Sequence, residues 1–382
     1  MATTTESDAM HRSIFDRWSN QSSSLPATRV RLLFLGVSFL IVLGLSAMWT
    51  LRRTTPTLRV FVWKGYADET VIAQFEHRYN CYVSVRYMDT SDQLYQDLKN
   101  GADYDVVSAS SDIADDIRKA GLSAQLNRKT RVRLRDLADP SQAQTNNRTS
   151  LDDRVPFMWG PNVLIYVPSA FGNHPPSSWS ILWNSKLAGR VAVWDDLSSL
   201  YMAAQLDHLP VYQLRSEDLH KLERERLRSL LMSNHAHLWS DAAELTTMFR
   251  DGQIVAALGW PLTVSDLRKL KVAVAATIPI EGTTGWIDYL LVPARSRNKA
   301  LAFEFVRYLL TSDVQARVAS ITHYEPVDGE AKAVVSEKKR PDEAYSLSTI
   351  AFWRSLGDNR DSYLAVWQQA KADSVAQSHT DK

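Results

Sequence analysis

The sequence holds a single cysteine, Cys81. An internal disulfide and a cysteine-rich zinc site are thereby excluded, and stability has to come from packing. Excess charge of either sign is lacking. There are 44 Lys plus Arg against 43 Asp plus Glu, which gives no reason to expect a nucleic acid or an anionic polymer as partner. No glycine-rich phosphate loop is present, so nucleotide binding is unsupported. The Gly-x-Ser-x-Gly elbow that would present an activated serine is absent too. Cys81 sits in a predicted strand beside aromatics and reads as a packed core thiol. His235 and His237 lie on a polar segment with no third ligand nearby, which reads as surface and not as a metal site. The expectation is a chain with no catalytic residues, no metal and no cofactor.

Long apolar runs are scarce, and only one qualifies as a membrane span. Residues 32–51 carry no charge, with Arg31 before them and Arg52 and Arg53 after. About 20 apolar residues are needed to cross a bilayer as a helix, and this run meets that length. A cleaved signal peptide would have a shorter apolar core, about 7–15 residues, and usually a short tail ahead of it. Here residues 1–31 come first, rich in Ser, Thr, Asn and Gln, and read as a disordered tail. A retained anchor is therefore expected at 32–51. No cysteine ends the run, so a lipid anchor is excluded. The flanking arginines are nearly balanced and do not settle the orientation.

What is plentiful is tryptophan, at 12 residues, and from Leu58 onward an alternation of strands and helices. Leu58–Trp63 is a β-rich apolar run, followed by Val71, Ile72, Phe75 and Tyr79 at helical spacing. Tyr82–Tyr87 alternates as a strand, Ser91–Lys99 reads as a helix, Tyr104–Val107 as a strand, and Ile113–Ala120 as a helix stopped by Gly121. Residues 127–154 are rich in charge, Ser, Gln and Asn and read as an irregular surface segment. Val163–Val167, Val191–Trp194 and Ile254–Gly259 are further strands, 215–230 is a solvated helix face, and Ser348–Lys371 reads as a helix carrying Phe352, Trp353, Tyr363 and Trp367. Such alternation implies an α/β body with parallel sheets, whose ligands bind beyond the carboxyl ends of the strands.

Acids and aromatics gather at those ends: Trp63 with Tyr66, Asp195 with Asp196, Trp260, Trp286 with Asp288, and Tyr324. The combination suits an organic cation. Carboxylates pair with ammonium groups, while aromatic faces attract the charge by about 0.5–2 kcal/mol. Each methylene buried against them adds about 0.8 kcal/mol. A buried carboxylate without a counter-charge is costly, which couples closure of a hinged cleft to its ligand.

The order of motifs resembles that of the periplasmic spermidine/putrescine-binding proteins, the solute-binding subunits of ABC importers. Trp63-Lys64-Gly65-Tyr66 is similar to the family's Trp-x-acid-Tyr start, and Gly101–Val107 to its Gly-x-Tyr-Asp-hydrophobic-Val segment. Ile117–Gly121, Val155–Gly160, Gly189–Asp196 and Gly285–Asp288 follow in the same order. The resemblance runs from about Leu58 to about Ala372. It implies a periplasmic-binding-protein fold of two α/β lobes with a hinge, divided as 57–161 with 288–333 and 162–287 with 334–376. It implies a ligand, a small organic amine, delivered to ABC permease and ATPase subunits, and a location on the periplasmic or extracellular face. It carries ligand-binding roles over to Trp63, Tyr66, Ser110, Asp196, Trp260, Trp286, Asp288 and Tyr324. Four positions depart from the family: Gly65 replaces an acid, Ser199 replaces an acid, Asp112 replaces an aromatic, and Arg354 follows Trp353 where a glutamine is usual. Asp112, Ser199 and Arg354 join the expected site, with one cation gained and at least one acid lost. A ligand with one amine and one anionic or neutral polar end then fits better than a plain polyamine, with Arg354 as partner for a carboxylate. An anchored sensor that engages a signalling partner, with a solute other than a polyamine, is the alternative.

Overall fold

The computed structural model describes residues 38, 40–43, 46, 55–140, 151–337 and 345–380. The chain forms two units, Met1–Pro56 and Thr57–Lys382. In the first, the described residues Ser38, Leu40 to Leu43 and Ser46 are helical and exposed. The rest of the expected anchor at 32–51, and the whole tail 1–31, lie outside the described residues. Among the described residues no helix is long and apolar enough to cross a membrane.

Among its described residues the second unit carries twelve strands. They are β1 (Thr57–Val62), β2 (Tyr82–Tyr87), β3 (Val106–Ser110), β4 (Arg154–Pro161), β5 (Val163–Tyr166), β6 (Val191–Trp194), β7 (His237–Trp239), β8 (Ala256–Gly259), β9 (Ala275–Thr277), β10 (Thr283–Leu291), β11 (Glu325–Pro326) and β12 (Ile350–Phe352). Two sheets result. One runs β11-β4-β10-β3-β1-β2 with β12 paired to β10, and the other runs β7-β6-β8-β5-β9. Each contains three parallel strands, β2-β1-β3 and β7-β6-β8, as the strand–helix alternation implies. Each also contains a long-range antiparallel partner, β10 in the first and β5 in the second. Strand–helix periodicity does not announce those pairings, because their partners are distant in sequence.

Burial explains the strand patterns. β3, β4, β5, β6, β8 and β10 are buried along their whole length, as strands covered on both faces are. β2 lies at an edge, and it alternates only at its start, where Val83 is buried between the exposed Tyr82 and Ser84. Helices start where short polar side chains cap them. Asp68 Oδ1 accepts from Thr70 N at 3.1 Å, Thr90 Oγ1 from Gln93 N at 3.2 Å, and Asp241 Oδ1 from Ala243 N at 2.7 Å. The charged run 215–230 is helical and turns Leu219, Leu222, Leu227 and Leu230 inward. Cys81 is buried, and burial raises its thiol pKa, consistent with a core role.

Three expectations need correction. Residues 127–154 are not wholly irregular. Arg128–Leu134 is a helix capped by Asn127, whose Oδ1 accepts from Thr130 N at 2.9 Å. Its apolar content is small, so charge hid the helix. The expected helix 348–371 begins only at Arg360, since Ile350–Phe352 instead pairs with Thr283–Gly285 as a strand. In addition, the lobe boundary expected between 287 and 288 falls inside β10, which pairs in the first sheet throughout.

The chain passes between the sheets at Asn162, which separates β4 from β5. Asn162 N donates to Thr284 O at 2.8 Å, its Nδ2 to Thr284 Oγ1 at 3.0 Å, and Thr283 Oγ1 donates to Asn162 O at 2.9 Å. All three residues are buried. Two crossing segments are thus laced together at one point, with a cavity beside it.

Candidate functional site

The site begins at the end of β1. There the chain turns through Trp63, Lys64 and Gly65 to Tyr66, whose N–H donates to Trp63 O at 3.2 Å. Gly65 has φ +93°, and a Cβ there would meet Thr322 Cγ2 at 2.7 Å. Glycine at this position serves the turn, which accounts structurally for the lost acid. Behind the turn, β3 ends at Ser110, and β10 brings in Trp286 and Asp288. The pairing of β10 with β4 shifts register between Asp288 and Tyr289, which face Met158 and Pro156, so that Phe157 of β4 is the extra residue beside the acid. Pro156 has no N–H to offer a ladder, and bulges re-aim side chains beside sites.

Asp288 is the electrostatic centre. It is buried, and its two carboxylate oxygens accept hydrogen bonds from the Tyr66 hydroxyl and from Ser110 Oγ. Ser110 Oγ accepts in turn from Trp63 Nε1 at 3.1 Å. Burial pushes the Asp288 pKa up to about 6, although the Ser110 and Tyr66 hydrogen bonds pull it down. Burial likewise drives the Tyr66 hydroxyl well above its ordinary value, with Asp288 adding to the rise. Among the described residues no lysine or arginine pairs with Asp288. The site therefore presents a desolvated carboxylate that lacks a cation.

Around it stands an aromatic wall drawn from both sheets. Trp286 packs edge-on against Tyr324 at 5.0 Å between ring centres and against Trp260 at 6.2 Å, and tilts toward Trp353 at 5.6 Å. Trp194 meets Trp260 at 4.7 Å and stacks on Trp239 at 5.5 Å. Trp194, Trp260, Trp286, Tyr324 and Trp353 line, with Asp288, a cavity of about 260 Å³, and Trp239 backs Trp194 from behind. That is somewhat below the roughly 300–1,000 Å³ of small-molecule sites, and so suits a small compound. Lys64, Asp89 and Asp241 also line it.

The Trp286 ring lies over Gly160, its cross-strand partner, and a Cβ on Gly160 would come within 2.8 Å of Trp286 Cζ2. We expect Gly160→Ala to push the indole out of place, to cost about 1–3 kcal/mol of stability, and to weaken ligand binding about tenfold. Denaturant unfolding and calorimetric titration check both effects, and unchanged affinity would remove Trp286 from the site.

Of the residues expected from sequence, Trp63, Ser110, Trp260, Trp286, Asp288 and Tyr324 line this one cavity. Tyr66 lies behind it, on Asp288. The structure does not bring the other four to the cavity wall. Asp196 caps the helix Leu197–Leu206, with Oδ1 accepting from Ser198 N at 2.9 Å. Ser199 Oγ donates to Trp194 O at 2.5 Å and so holds the strand end that carries Trp194. Asp112 accepts from Ser91 Oγ at 3.1 Å, and its other oxygen lies 3.8 Å from Arg360 Nη1. Burial pushes the Asp112 pKa up to about 7 against the pull of Arg360, and burial also raises Asp196. Arg354 is exposed, with its guanidinium 4.7 Å from the centre of the Tyr212 ring. It is placed on that phenol and not as a partner for ligand.

Sequence reasoning missed Trp194 and Trp353 as lining residues and missed Arg360 altogether. Trp194 carried a usable signal, since it ends a strand just before Asp195-Asp196. Trp353 lies directly after β12, a strand too short to show alternation.

The chain matches the model of the bacterial extracellular solute-binding proteins over residues 70–345. It is 25% identical over 341 residues to the spermidine/putrescine-binding periplasmic protein of Salmonella typhimurium, covering 87% of this chain and 96% of that one. The spermidine/putrescine-binding periplasmic protein of Escherichia coli is 24% identical over 341 residues, with 87% and 96% covered. Among solved structures, a putative spermidine/putrescine ABC transporter from Listeria monocytogenes superposes with a TM-score of 0.74 at 16% identity, covering 83% of this chain and 99% of the other.

Proposed function

Because the chain belongs to the bacterial extracellular solute-binding protein family, we propose that it captures a polyamine or related small amine between two lobes and delivers it to an ABC importer. The observation that carries the reading is Asp288, a buried carboxylate inside an aromatic cavity with no cationic partner among the described residues. A buried unpaired charge is unfavourable, and an ammonium relieves it. The rings of Trp63, Trp260, Trp286 and Tyr324 supply faces for the charge and for methylenes. The names of the relatives point to the same ligand class.

The first sheet with its helices forms one lobe and the second sheet forms the other. The division lies near 57–161 with 288–333 and 162–287 with 334–376, adjusted so that 283–287 and 350–352 join the first lobe. The segment 32–51 serves as a membrane anchor that leaves the body on the periplasmic or extracellular face, where it meets ABC permease and ATPase subunits. The role is binding, without catalysis.

The test is a calorimetric titration with putrescine, spermidine and monoamines, beside anionic and neutral solutes of similar size. An amine should bind, and at a hundredfold excess over its Kd should stabilise the protein by about 2.7 kcal/mol. Binding of an anionic or neutral solute with no amine bound would overturn the reading.

A further inference from the structure

We propose that Arg360 is a positioning residue that holds the two lobes in their ligand-binding arrangement, and so raises affinity for every ligand without touching any. The inference rests on the two-lobed part of the reading above and is independent of the ligand's chemistry.

Arg360 opens the C-terminal helix Arg360–Thr380. That helix is rooted in the second lobe. Tyr363 Oη accepts from Leu214 N at 2.9 Å, Trp367 Nε1 donates to Asp195 Oδ1 at 2.9 Å just past β6, and Arg228 Nη2 lies 3.3 Å from Asp373 Oδ2. The Arg360 side chain leaves that lobe. Its Nη2 donates to Asp92 Oδ1 at 2.7 Å, and its Nη1 lies 3.8 Å from Asp112 Oδ2. Asp92 is in the first turn of the helix Ser91–Lys99, after β2, and Asp112 stands two residues past β3. A guanidinium from one lobe is therefore held by two carboxylates of the other, and its planar fork reaches both at once.

Like charges meet where Arg360 lies. Asp196 follows β6 in the second lobe, and its charge disfavours the ionised form of Asp112 in the first. The Tyr201 and Tyr212 hydroxyls, also from the second lobe, feel the Asp112 charge as well. Arg360 offsets the repulsion, since its charge favours the ionised form of both Asp112 and Asp196. Its side chain is 19% exposed, so solvent screens these charges weakly. Arg360, Asp92, Asp112 and Asp196 all stand off the cavity wall. The wall itself comes from both lobes, with Trp63, Ser110 and Asp288 on one side and Trp194, Trp260 and Asp241 on the other. A ligand touches both sides only while the lobes stay together. Its apparent affinity therefore scales with the fraction of the protein in that arrangement. Without the guanidinium, Asp112 and Asp196 repel each other across the gap and that fraction falls.

The test uses the full chain. Spin labels on Lys99→Cys and Lys221→Cys, exposed positions in the first and second lobes, read lobe separation by pulsed paramagnetic resonance, and calorimetry reads affinity for putrescine and spermidine. Arg360→Gln should lengthen the label distance in the unliganded protein and weaken both amines by one common factor, about tenfold. Arg360→Lys keeps the charge and should restore most of both. Asp92→Asn, at a side chain 46% exposed, should weaken both amines about threefold and add no loss once Arg360→Gln is present. If Arg360→Gln does not fold, Asp92→Asn decides by the same two readings. An unchanged label distance with unchanged affinities would overturn the inference, and so would a loss confined to one amine, which would make Arg360 a ligand contact. If neither amine binds, the amine reading fails and the label distance still decides the role of Arg360.

Discussion

Asp288→Asn lowers amine affinity by at least a hundredfold and leaves the unliganded protein as stable as before, or more stable. The two halves of this expected result have one cause. In the unliganded protein the ionised carboxylate is held in a place that disfavours its charge, and the rise from 3.8 to about 6 corresponds to about 3 kcal/mol. Asparagine removes that penalty and keeps the shape. The Tyr66 and Ser110 hydroxyls that now donate to Asp288 can rotate, one donating to the amide oxygen and the other accepting from the amide nitrogen. With ligand present the same substitution leaves an ammonium desolvated against a neutral amide, and losing one partner of a buried charge pair costs about 3–5 kcal/mol. Calorimetry gives the affinity and urea unfolding gives the stability. Equal affinity in the variant would show that Asp288 does not hold the amine.

Acid acts on the same carboxylate. Below a pH of about 6, each further unit lowers amine affinity about tenfold, so binding at pH 4 is about a hundredfold weaker than at pH 7. Stability of the unliganded protein moves the opposite way. Asp288 and Asp112 are both raised by burial, to about 6 and about 7. A carboxyl whose folded pKa is raised contributes stability that is fully present below its unfolded value near 4 and is lost as pH rises through the folded value. These two groups therefore stabilise the empty fold most below about pH 4 and least above about pH 7. Saturating amine offsets the loss at the Asp288 step and leaves the Asp112 step in place, because Arg360 and not the ligand lies beside Asp112. Titration and denaturation across pH 4 to 8 check both signs. Affinity that is flat across pH 6 would contradict the placement of the ammonium.

Much of this site was legible in sequence because strand ends are where α/β bodies collect ligands. Trp63 and Ser110 stand at or beside such an end, Asp288 faces Ser110 from within β10, and the cavity gathers all three. The failures have physical reasons. Asp196 begins an Asp-x-Ser turn that caps a helix, and a cap and a ligand carboxylate look alike in sequence. Ser199 replaces an acid, yet its hydroxyl goes to the Trp194 carbonyl and not to the cavity. Arg354 was the natural candidate for the extra cation because it follows Trp353. The cation that meets the acids is Arg360, six residues on, where the chain has left β12 and started its last helix. No periodicity spans that stretch, so sequence cannot say which arginine turns inward. β12 itself was read as helix because Phe352, Trp353, Tyr363 and Trp367 fall near helical spacing. Its pairing with Thr283–Gly285 comes from a distant segment that no local pattern shows.

The central claim is that an ammonium sits on Asp288 inside the aromatic cavity. A crystal structure of the full chain with its tightest-binding amine tests it most directly. The account predicts the ligand nitrogen within hydrogen-bond distance of the Asp288 carboxylate, with the rest of the molecule against Trp260, Trp286 and Tyr324. A nitrogen bound elsewhere, or an anionic or neutral group lying on Asp288, would contradict it.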